Sequence, residues 1–226
     1  MAKDPRRLSR SVEDYLKAIY SLTRGGAPAS TTGLAEHLAV QPSSVTGMVK
    51  RLAGLGLLAH IPYRGVQLTE EGSRAAIRVI RRHRILETYL TERLGYAWEE
   101  VHDEAERLEH TASDRLIDAM ARALGDPRRD PHGAPIPTAE GKIESASLET
   151  LADVALGEPR VIQSVRDDEA EGLRTMEARG LVPGARVLVR SRLPGAPLEV
   201  QVGEGEGPTT PIPPELAERI FVQALP

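Results

Sequence analysis

The spacing of apolar residues predicts helices at the start of the chain. Apolar side chains recur every three or four positions over residues 9–24, and Ser11 is placed to cap this helix. After the break GGAPAS come two short amphipathic stretches, 31–40 and 43–52, on either side of a turn at Pro42. Two short helices around a tight turn, the second opening with small polar residues, predict a helix-turn-helix.

Two short apolar runs follow and predict a β-hairpin. Residues 57–61 and 66–68 flank a turn that carries Arg64 near its tip. A basic hairpin after a helix-turn-helix is typical of a wing. The pattern therefore predicts a winged helix-turn-helix DNA-binding domain in residues 1–75.

Longer helical patterns predict a second domain, residues 76–145. One helix is expected to run to about Leu94, and another over about residues 100–124, where Gly125-Asp126-Pro127 stops it. A proline- and glycine-rich linker at 126–141 closes this domain.

The periodicity changes in the last third of the chain. Short β-like runs separated by glycine and proline predict a small β-barrel over residues 146–226. The expected strands lie at 160–165, 186–191, 198–202 and 219–222. The predicted fold class is mainly α, with three domains in this order.

The composition limits the kinds of site the chain can contain and the cellular location we expect for it. The 226 residues contain no cysteine, which excludes disulfides and zinc–thiolate sites. No apolar run approaches the roughly 18 residues needed to span a bilayer, and the first residues lack the apolar core of a signal peptide. We therefore expect a cytoplasmic protein without a membrane partner.

The charge is unevenly distributed, although the net charge is only −4. Residues 1–80 carry 11 Lys and Arg against 6 Asp and Glu, a net of +5, which leaves −9 for the rest. A basic first part followed by an acidic remainder favours an interaction with nucleic acid at the N-terminal domain.

The segment HDEAERLEH, residues 102–110, carries the most specific chemistry. His102, Glu106, Glu109 and His110 follow one another at helical spacing, so on one helix they would share a face. Upstream, His83 and Glu87 repeat the four-residue spacing. Imidazole nitrogens and carboxylate oxygens together suit a divalent transition metal. The alternative interpretation is an ordinary solvated, charged helix face.

Four motifs stand out in chain order: VEDYLKAIY at 12–20, HRILE at 83–87, HDEAERLEH at 102–110 and DPHGAPIP at 130–137. With the predicted domain order, they resemble the DtxR/MntR family of metal-dependent transcriptional regulators, and the resemblance covers the whole chain. The C-terminal part is similar to the SH3-like (FeoA-like) domain of the longer, iron-type members.

The resemblance implies a first metal site made of Asp14, Glu106, Glu109 and His110. Iron-type members have sulfur ligands at the first two positions, whereas oxygen donors here favour Mn²⁺, with Fe²⁺ as the alternative. Lys17 stands where manganese-type members have a second acidic residue. The binuclear arrangement of that branch is therefore not carried over.

A second metal site is implied by the iron-type members. His83, Glu87 and His102 fill its helical positions, Glu169 falls on the acidic position of the SH3-like domain, and Gly172 replaces a glutamine. The remaining histidines match no ligand position and are interpreted as surface or structural residues: His37, His60 and His132.

Six residues are candidates for DNA contacts. Small hydroxyl side chains at the start of the recognition helix can hold phosphate or bases, and basic residues on that helix and the wing can hold phosphate. They are Ser43, Ser44, Thr46, Lys50, Arg51 and Arg64.

The sequence thus predicts a metal-activated DNA-binding regulator rather than an enzyme. The resemblance implies a homodimer that binds a palindromic double-stranded operator and represses genes of manganese or iron homeostasis, with no small-molecule substrate. The alternative is a di-metal hydrolase or oxygenase that uses the same His/Glu cluster.

Overall fold

The structure of the protein is a computed structural model that describes residues 8–166, 169–205 and 207–225. These residues form two compact units. The first comprises the chain up to Arg82 with Glu109–Ala112 and Pro137–Lys142, and the second comprises the remaining segments. Among the described residues, no helix has both the length and the apolar character needed to cross a membrane.

Three helices and a hairpin form the start of the first unit. They are α1 (Arg10–Leu22), α2 (Thr31–His37), α3 (Pro42–Gly54), β1 (Leu58–Ile61) and β2 (Gly65–Leu68). The N-cap of α1 is Ser9 and not Ser11, so the predicted start was late by two residues. Pro42 is the first residue of α3, where its missing N–H costs no hydrogen bond.

The core of this unit joins the helices to the hairpin. Leu16 and Ile19 of α1 and Leu34 of α2 are fully buried, and they pack with Val45 of α3 and Val66 of β2. The two strands pair antiparallel from Leu58–Leu68 to Ile61–Gly65. The predicted winged helix-turn-helix is confirmed.

The predicted long helix over 100–124 was wrong, because it is two helices. After α4 (Glu70–Leu94) the chain forms α5 (Val101–Leu108) and α6 (Asp114–Ala123). Ser113 starts α6 by accepting a hydrogen bond from the Leu116 amide. Glu109 and His110 consequently lie in the turn between the two helices and not on a helix face.

The C-terminal part of the second unit is a five-stranded antiparallel sheet in the order β6-β5-β4-β3-β7. This small antiparallel sheet confirms the predicted SH3-like fold class. The edge strand β6 was missed, since a proline at position 211 argues against a strand except at a sheet edge. The elements are β3 (Pro159–Val165), α7 (Ala170–Ala178), β4 (Arg186–Ser191), β5 (Leu198–Val202), β6 (Thr209–Ile212), α8 (Pro214–Ala217) and β7 (Ile220–Ala224).

The proline-rich segment before this sheet is irregular, as predicted, but it is not a free spacer. One carboxylate oxygen of Asp130 accepts the backbone N–H groups of His132 and Ala134, both at 2.9 Å. The carbonyl of His132 accepts the N–H of Val165 on β3, also at 2.9 Å. Side chains in such a segment have fixed positions and can contribute to a site.

Gly65 provides a test of the wing. Its φ is +122°, and a Cβ there would overlap the backbone carbonyl of Ala29, so we expect Gly65→Ala to lower the free energy of unfolding by about 2–4 kcal/mol. Gly47 lies on α3 with open space around it, so Gly47→Ala should instead raise stability by up to about 1 kcal/mol. Urea denaturation of both variants measures this, and equal effects would contradict the close approach.

Candidate metal centre

His110 lies between two acidic residues of α1 in the first unit. Its Nδ1 is 2.7 Å from Oε2 of Glu13, and its Nε2 is 2.9 Å from Oδ1 of Asp14. The other oxygen of Glu13 accepts a hydrogen bond from Arg82 at 2.8 Å. A histidine that donates one ring N–H to a carboxylate presents its other nitrogen as a metal ligand. Donation from Nδ1 to Glu13 would leave Nε2, the nitrogen on the side of Asp14, as that ligand.

Glu109 adds a fully buried carboxylate to this first cluster. Lys17 donates to both of its oxygens, at 3.0 and 3.1 Å, and Nε2 of His110 lies 3.3 Å from Oε1. The ligand atoms of Asp14, Glu109 and His110 all lie within 4.8 Å of one another. Two carboxylate oxygens and one imidazole nitrogen at this spacing fit a divalent transition metal.

The sequence interpretation missed Glu13. It lies on the buried face of α1, with only 5% of its surface exposed. A charged residue is almost never buried without a partner, and position 13 falls within the apolar stripe of Val12 and Leu16. A charged residue within an apolar stripe was therefore the signal in the sequence that could have identified Glu13.

A second cluster lies in the second unit, where two imidazole rings each lie between two carboxylates. On one side, Oε1 of Glu87 is 2.9 Å from Nε2 of His83 and 3.5 Å from Nδ1 of His102. On the other side, Oε1 of Glu106 is 3.8 and 4.0 Å from the remaining nitrogens of the same rings. Glu87 is fully buried, so these histidines enclose a charge that water does not reach.

The predicted site residues are therefore divided between the two units. Asp14, Glu109 and His110 belong to the first unit, and Glu106 belongs to the second, as His83 and His102 do. Glu169 precedes α7, and its carboxylate forms an ion pair with Arg219.

The three other histidines differ in exposure. His37 and His60 are exposed, as interpreted, whereas His132 has no exposed surface. His132 therefore fits the structural alternative of that interpretation and not the surface one.

The candidate DNA-binding residues form an exposed surface on α3 and the wing. All six have exposed side chains: Ser43, Ser44, Thr46, Lys50, Arg51 and Arg64. The Thr46 hydroxyl donates to the carbonyl of Pro42 at 3.1 Å. Tyr63 precedes Arg64 at the wing tip with a φ of +61° and a fully exposed ring.

A winged helix-turn-helix together with buried carboxylate–imidazole clusters defines a class, the metal-dependent DNA-binding regulators. Models of known protein families match three consecutive stretches of the chain. Residues 7–66 match the iron dependent repressor N-terminal DNA binding domain, residues 69–138 match its metal binding and dimerisation domain, and residues 149–224 match the FeoA domain.

Individual proteins are similar to this chain over nearly its full length. The iron-dependent repressor IdeR of Mycobacterium tuberculosis is 32% identical over 95% of this chain and 97% of its own. A manganese-dependent transcriptional repressor in complex with manganese superposes with a TM-score of 0.86 at 37% identity, covering 95% of this chain and all of the other. The manganese regulator SloR superposes with a TM-score of 0.79 at 30% identity, covering 95% and 98%.

The chain belongs to the family of iron- and manganese-dependent transcriptional repressors. Its members bind DNA and metal and contain a dimerisation domain. Because the family consists of repressors, the enzyme alternative is not supported.

Glu13 provides a test of the first cluster. Glu13→Gln removes the charge that orients the His110 ring but keeps the size of the side chain, so the affinity for Mn²⁺ should fall by about 10-fold or more. Glu36→Gln removes the same charge from an exposed position on α2 and should leave the affinity unchanged. Equilibrium dialysis measures both, and identical affinities would remove Glu13 from the centre.

Proposed function

We propose that the protein is a cytoplasmic repressor activated by Mn²⁺, with Fe²⁺ as the alternative, that binds a palindromic operator as a homodimer. Its target genes would serve manganese or iron homeostasis. The similarity to a manganese-dependent repressor in complex with manganese supports the metal. The family's DNA-binding and dimerisation domains support the operator and the dimer.

The observation that carries the proposal is the attachment of the α5–α6 turn to α1. Residues 109–112 belong to the first unit, although their contacts with α1 join residues 92 and 97 positions apart in the chain. Charged side chains make this attachment, through Lys17–Glu109 and through His110 with Glu13 and Asp14. Because α1 is part of the winged helix-turn-helix core, the strength of this contact bears directly on the DNA-binding domain.

Asp14, Glu109 and His110 would hold the activating ion, and we assign Glu106 as their fourth ligand from the family resemblance. A bound divalent ion would supply two positive charges to a cluster of carboxylates that otherwise repel one another. The residues would then fix α1 against the turn. A binding-competent arrangement favoured in this way makes metal and DNA affinity mutually dependent.

The donor atoms support Mn²⁺ as the activating ion. With Glu106 as the fourth ligand, three carboxylates and one imidazole make an oxygen-rich set, which suits Mn²⁺ better than metals that prefer sulfur or nitrogen. The Lys17 ammonium already occupies one side of Glu109. A single divalent ion therefore satisfies the first site in this proposal.

We assign the second site to His83, Glu87 and His102, with Glu169 as the acidic ligand from the SH3-like domain. The first three lie around one buried carboxylate oxygen. Glu169 is paired with Arg219, so its participation would require that ion pair to open.

DNA contacts are assigned to the exposed residues of α3 and the wing. Ser43, Ser44 and Thr46 lie in the first turns of α3, where backbone N–H groups also point toward a bound anion. Lys50, Arg51 and Arg64 would neutralise phosphates. Base discrimination would then rest on few side chains and on DNA shape.

The direct test is fluorescence anisotropy of the protein on DNA fragments upstream of metal-transporter genes, with Mn²⁺ or with chelator. Glu109→Gln removes one ligand charge, so it should abolish the gain in DNA affinity that Mn²⁺ gives the wild type. Glu92→Gln changes an exposed glutamate of α4 and should respond as the wild type. Equal DNA affinity in Mn²⁺ and in chelator would refute the proposal.

Arg51 provides a test of the DNA surface. Arg51→Ala should weaken binding to all sequences and reduce the slope of log K against log salt by about one unit, since one phosphate contact is lost. Arg78→Ala removes an equal charge from an exposed position on α4 and should keep the slope. DNA-binding titrations of both variants at several salt concentrations measure the two slopes.

A further inference from the structure

We propose that Lys17 sets the metal concentration at which the first cluster fills, because its ammonium group holds the Glu109 carboxylate in competition with the activating ion. The inference rests on the proposed function only in taking Asp14, Glu109 and His110 as a metal site. It adds a residue that regulates this site without being one of its ligands.

The contact between Lys17 and Glu109 joins one ammonium group to both oxygens of one carboxylate. Nζ of Lys17 lies 3.0 Å from Oε1 and 3.1 Å from Oε2 of Glu109. The carboxylate is fully buried, whereas 23% of the Lys17 side chain is exposed. An ammonium group is a compact charge with several N–H donors, so it can engage both oxygens at once. A divalent ion that approaches Glu109 therefore meets a carboxylate whose charge is already compensated.

Lys17 reaches this carboxylate from the same helix that supplies Asp14. The two residues are three positions apart on α1, so their side chains lie on one face of the helix. Oδ1 of Asp14 is 2.9 Å from Nε2 of His110, and this nitrogen is 3.3 Å from Oε1 of Glu109. The same carboxylate oxygen is thus close to the ammonium group and to the imidazole that would bind the ion.

Any ion bound to Glu109 is affected by this ammonium group. With a metal–oxygen bond of about 2.1 Å and 3.0 Å between Nζ and Oε1, the ion would lie at most ~5 Å from Nζ if Lys17 stays in place. Repulsion at that distance lowers the affinity by about 10-fold even at the dielectric constant of water. If Lys17 instead moves away, its hydrogen bonds to Glu109 are lost. Metal binding is weakened in both cases.

Stabilisation of the fold is a poor explanation for this ion pair. Exchange of a buried ion pair for well-packed apolar side chains is often neutral or stabilising, because both charges lose their hydration in the pair. Removal of one partner alone is costly, since it leaves a buried charge uncompensated. Lys17 therefore compensates Glu109 while the cluster holds no metal, and a divalent ion takes over this role when it binds.

Arg82 approaches the same cluster but acts on other atoms. It donates to Oε1 of Glu13 at 2.8 Å and to the backbone carbonyl of Glu109 at 3.2 Å. Neither of these oxygens belongs to the proposed ligand set. The competing charge at the Glu109 carboxylate is therefore assigned to Lys17, whereas Arg82 holds the backbone of the turn.

The test measures Mn²⁺ binding to the full chain without DNA. Lys17→Met keeps an unbranched side chain but removes the charge, so equilibrium dialysis should show one Mn²⁺ equivalent bound about 10-fold or more tightly than in the wild type. Lys142→Met removes a lysine charge from an exposed position and should bind as the wild type. A Mn²⁺ affinity of Lys17→Met equal to or below that of the wild type would overturn the proposal.

Two further variants separate the effect of charge from that of packing. Lys17→Arg restores the positive charge and should return the Mn²⁺ affinity close to the wild-type value. Lys17→Gln removes the charge but keeps a hydrogen-bond donor for Glu109, and it should bind Mn²⁺ more tightly, as Lys17→Met does. Tighter binding by Lys17→Arg as well would assign the effect to side-chain shape and reject the competition.

Thermal unfolding provides a second readout. Without metal, Glu109 in Lys17→Met lacks the hydrogen bonds of the ammonium group, so the unfolding temperature should fall below that of the wild type. A ligand that binds only the folded state raises stability according to its affinity. The same concentration of Mn²⁺ should therefore raise the unfolding temperature more in Lys17→Met than in the wild type. Equal rises would contradict the proposal.

These measurements are separable from the proposed function. Because no DNA is present, a protein that fails to bind operators in Mn²⁺ can still show tighter Mn²⁺ binding in Lys17→Met. Conversely, metal-gated DNA binding with an unchanged Mn²⁺ affinity in Lys17→Met would retain the proposed function and reject this inference. If both hold, the Mn²⁺ concentration for half-maximal DNA binding should fall in Lys17→Met.

Discussion

The contact of the α5–α6 turn with α1 is the interaction on which the first metal cluster depends. It is made by buried charge, since Glu13, Glu109 and His110 are almost completely enclosed. Burial of charge is costly unless each group has a partner. Arg82 and Lys17 supply two of the partners, and His110 connects two carboxylates. The position of α1 therefore depends on a charge balance, which a divalent ion is well suited to change.

The two clusters differ in their proportions of oxygen and nitrogen donor atoms. The first has Asp14 and Glu109 with a single imidazole, whereas the second has His83 and His102 around Glu87. In both clusters a buried carboxylate lies beside an imidazole nitrogen, Glu13 at 2.7 Å from His110 and Glu87 at 2.9 Å from His83. Different donor sets on one chain allow different ions to be bound at each site.

The sequence predicted most of the architecture, for physical reasons that can be traced to individual residues. Pro42 marked the start of α3, and the apolar periodicity predicted the wing and α4 to Leu94. The single helix over 100–124 was wrong because periodicity continued past Leu108, and the capping by Ser113 that starts a new helix is a local effect. The strand β6 was missed because its edge position, which tolerates proline, depends on tertiary pairing.

The candidate site was predictable only in part. Metal-ligand spacing identified the histidines and glutamates of the 83–87 and 102–110 segments, but spacing cannot show which partners come from distant segments. Glu13 was therefore missed, since its partner His110 lies 97 positions away along the chain. The division of Glu106 and Glu109 between the two units likewise follows from the turn after α5.

The central claim is that Mn²⁺ binding and DNA binding are coupled through the first cluster. The most direct measurement is calorimetric titration of Mn²⁺ into the protein alone and into its complex with operator DNA. Linkage requires the affinity for Mn²⁺ to rise in the complex by the same factor by which Mn²⁺ raises the affinity for DNA. We expect this equality, with a factor of at least about 5. An Mn²⁺ affinity that is the same with and without DNA would contradict it.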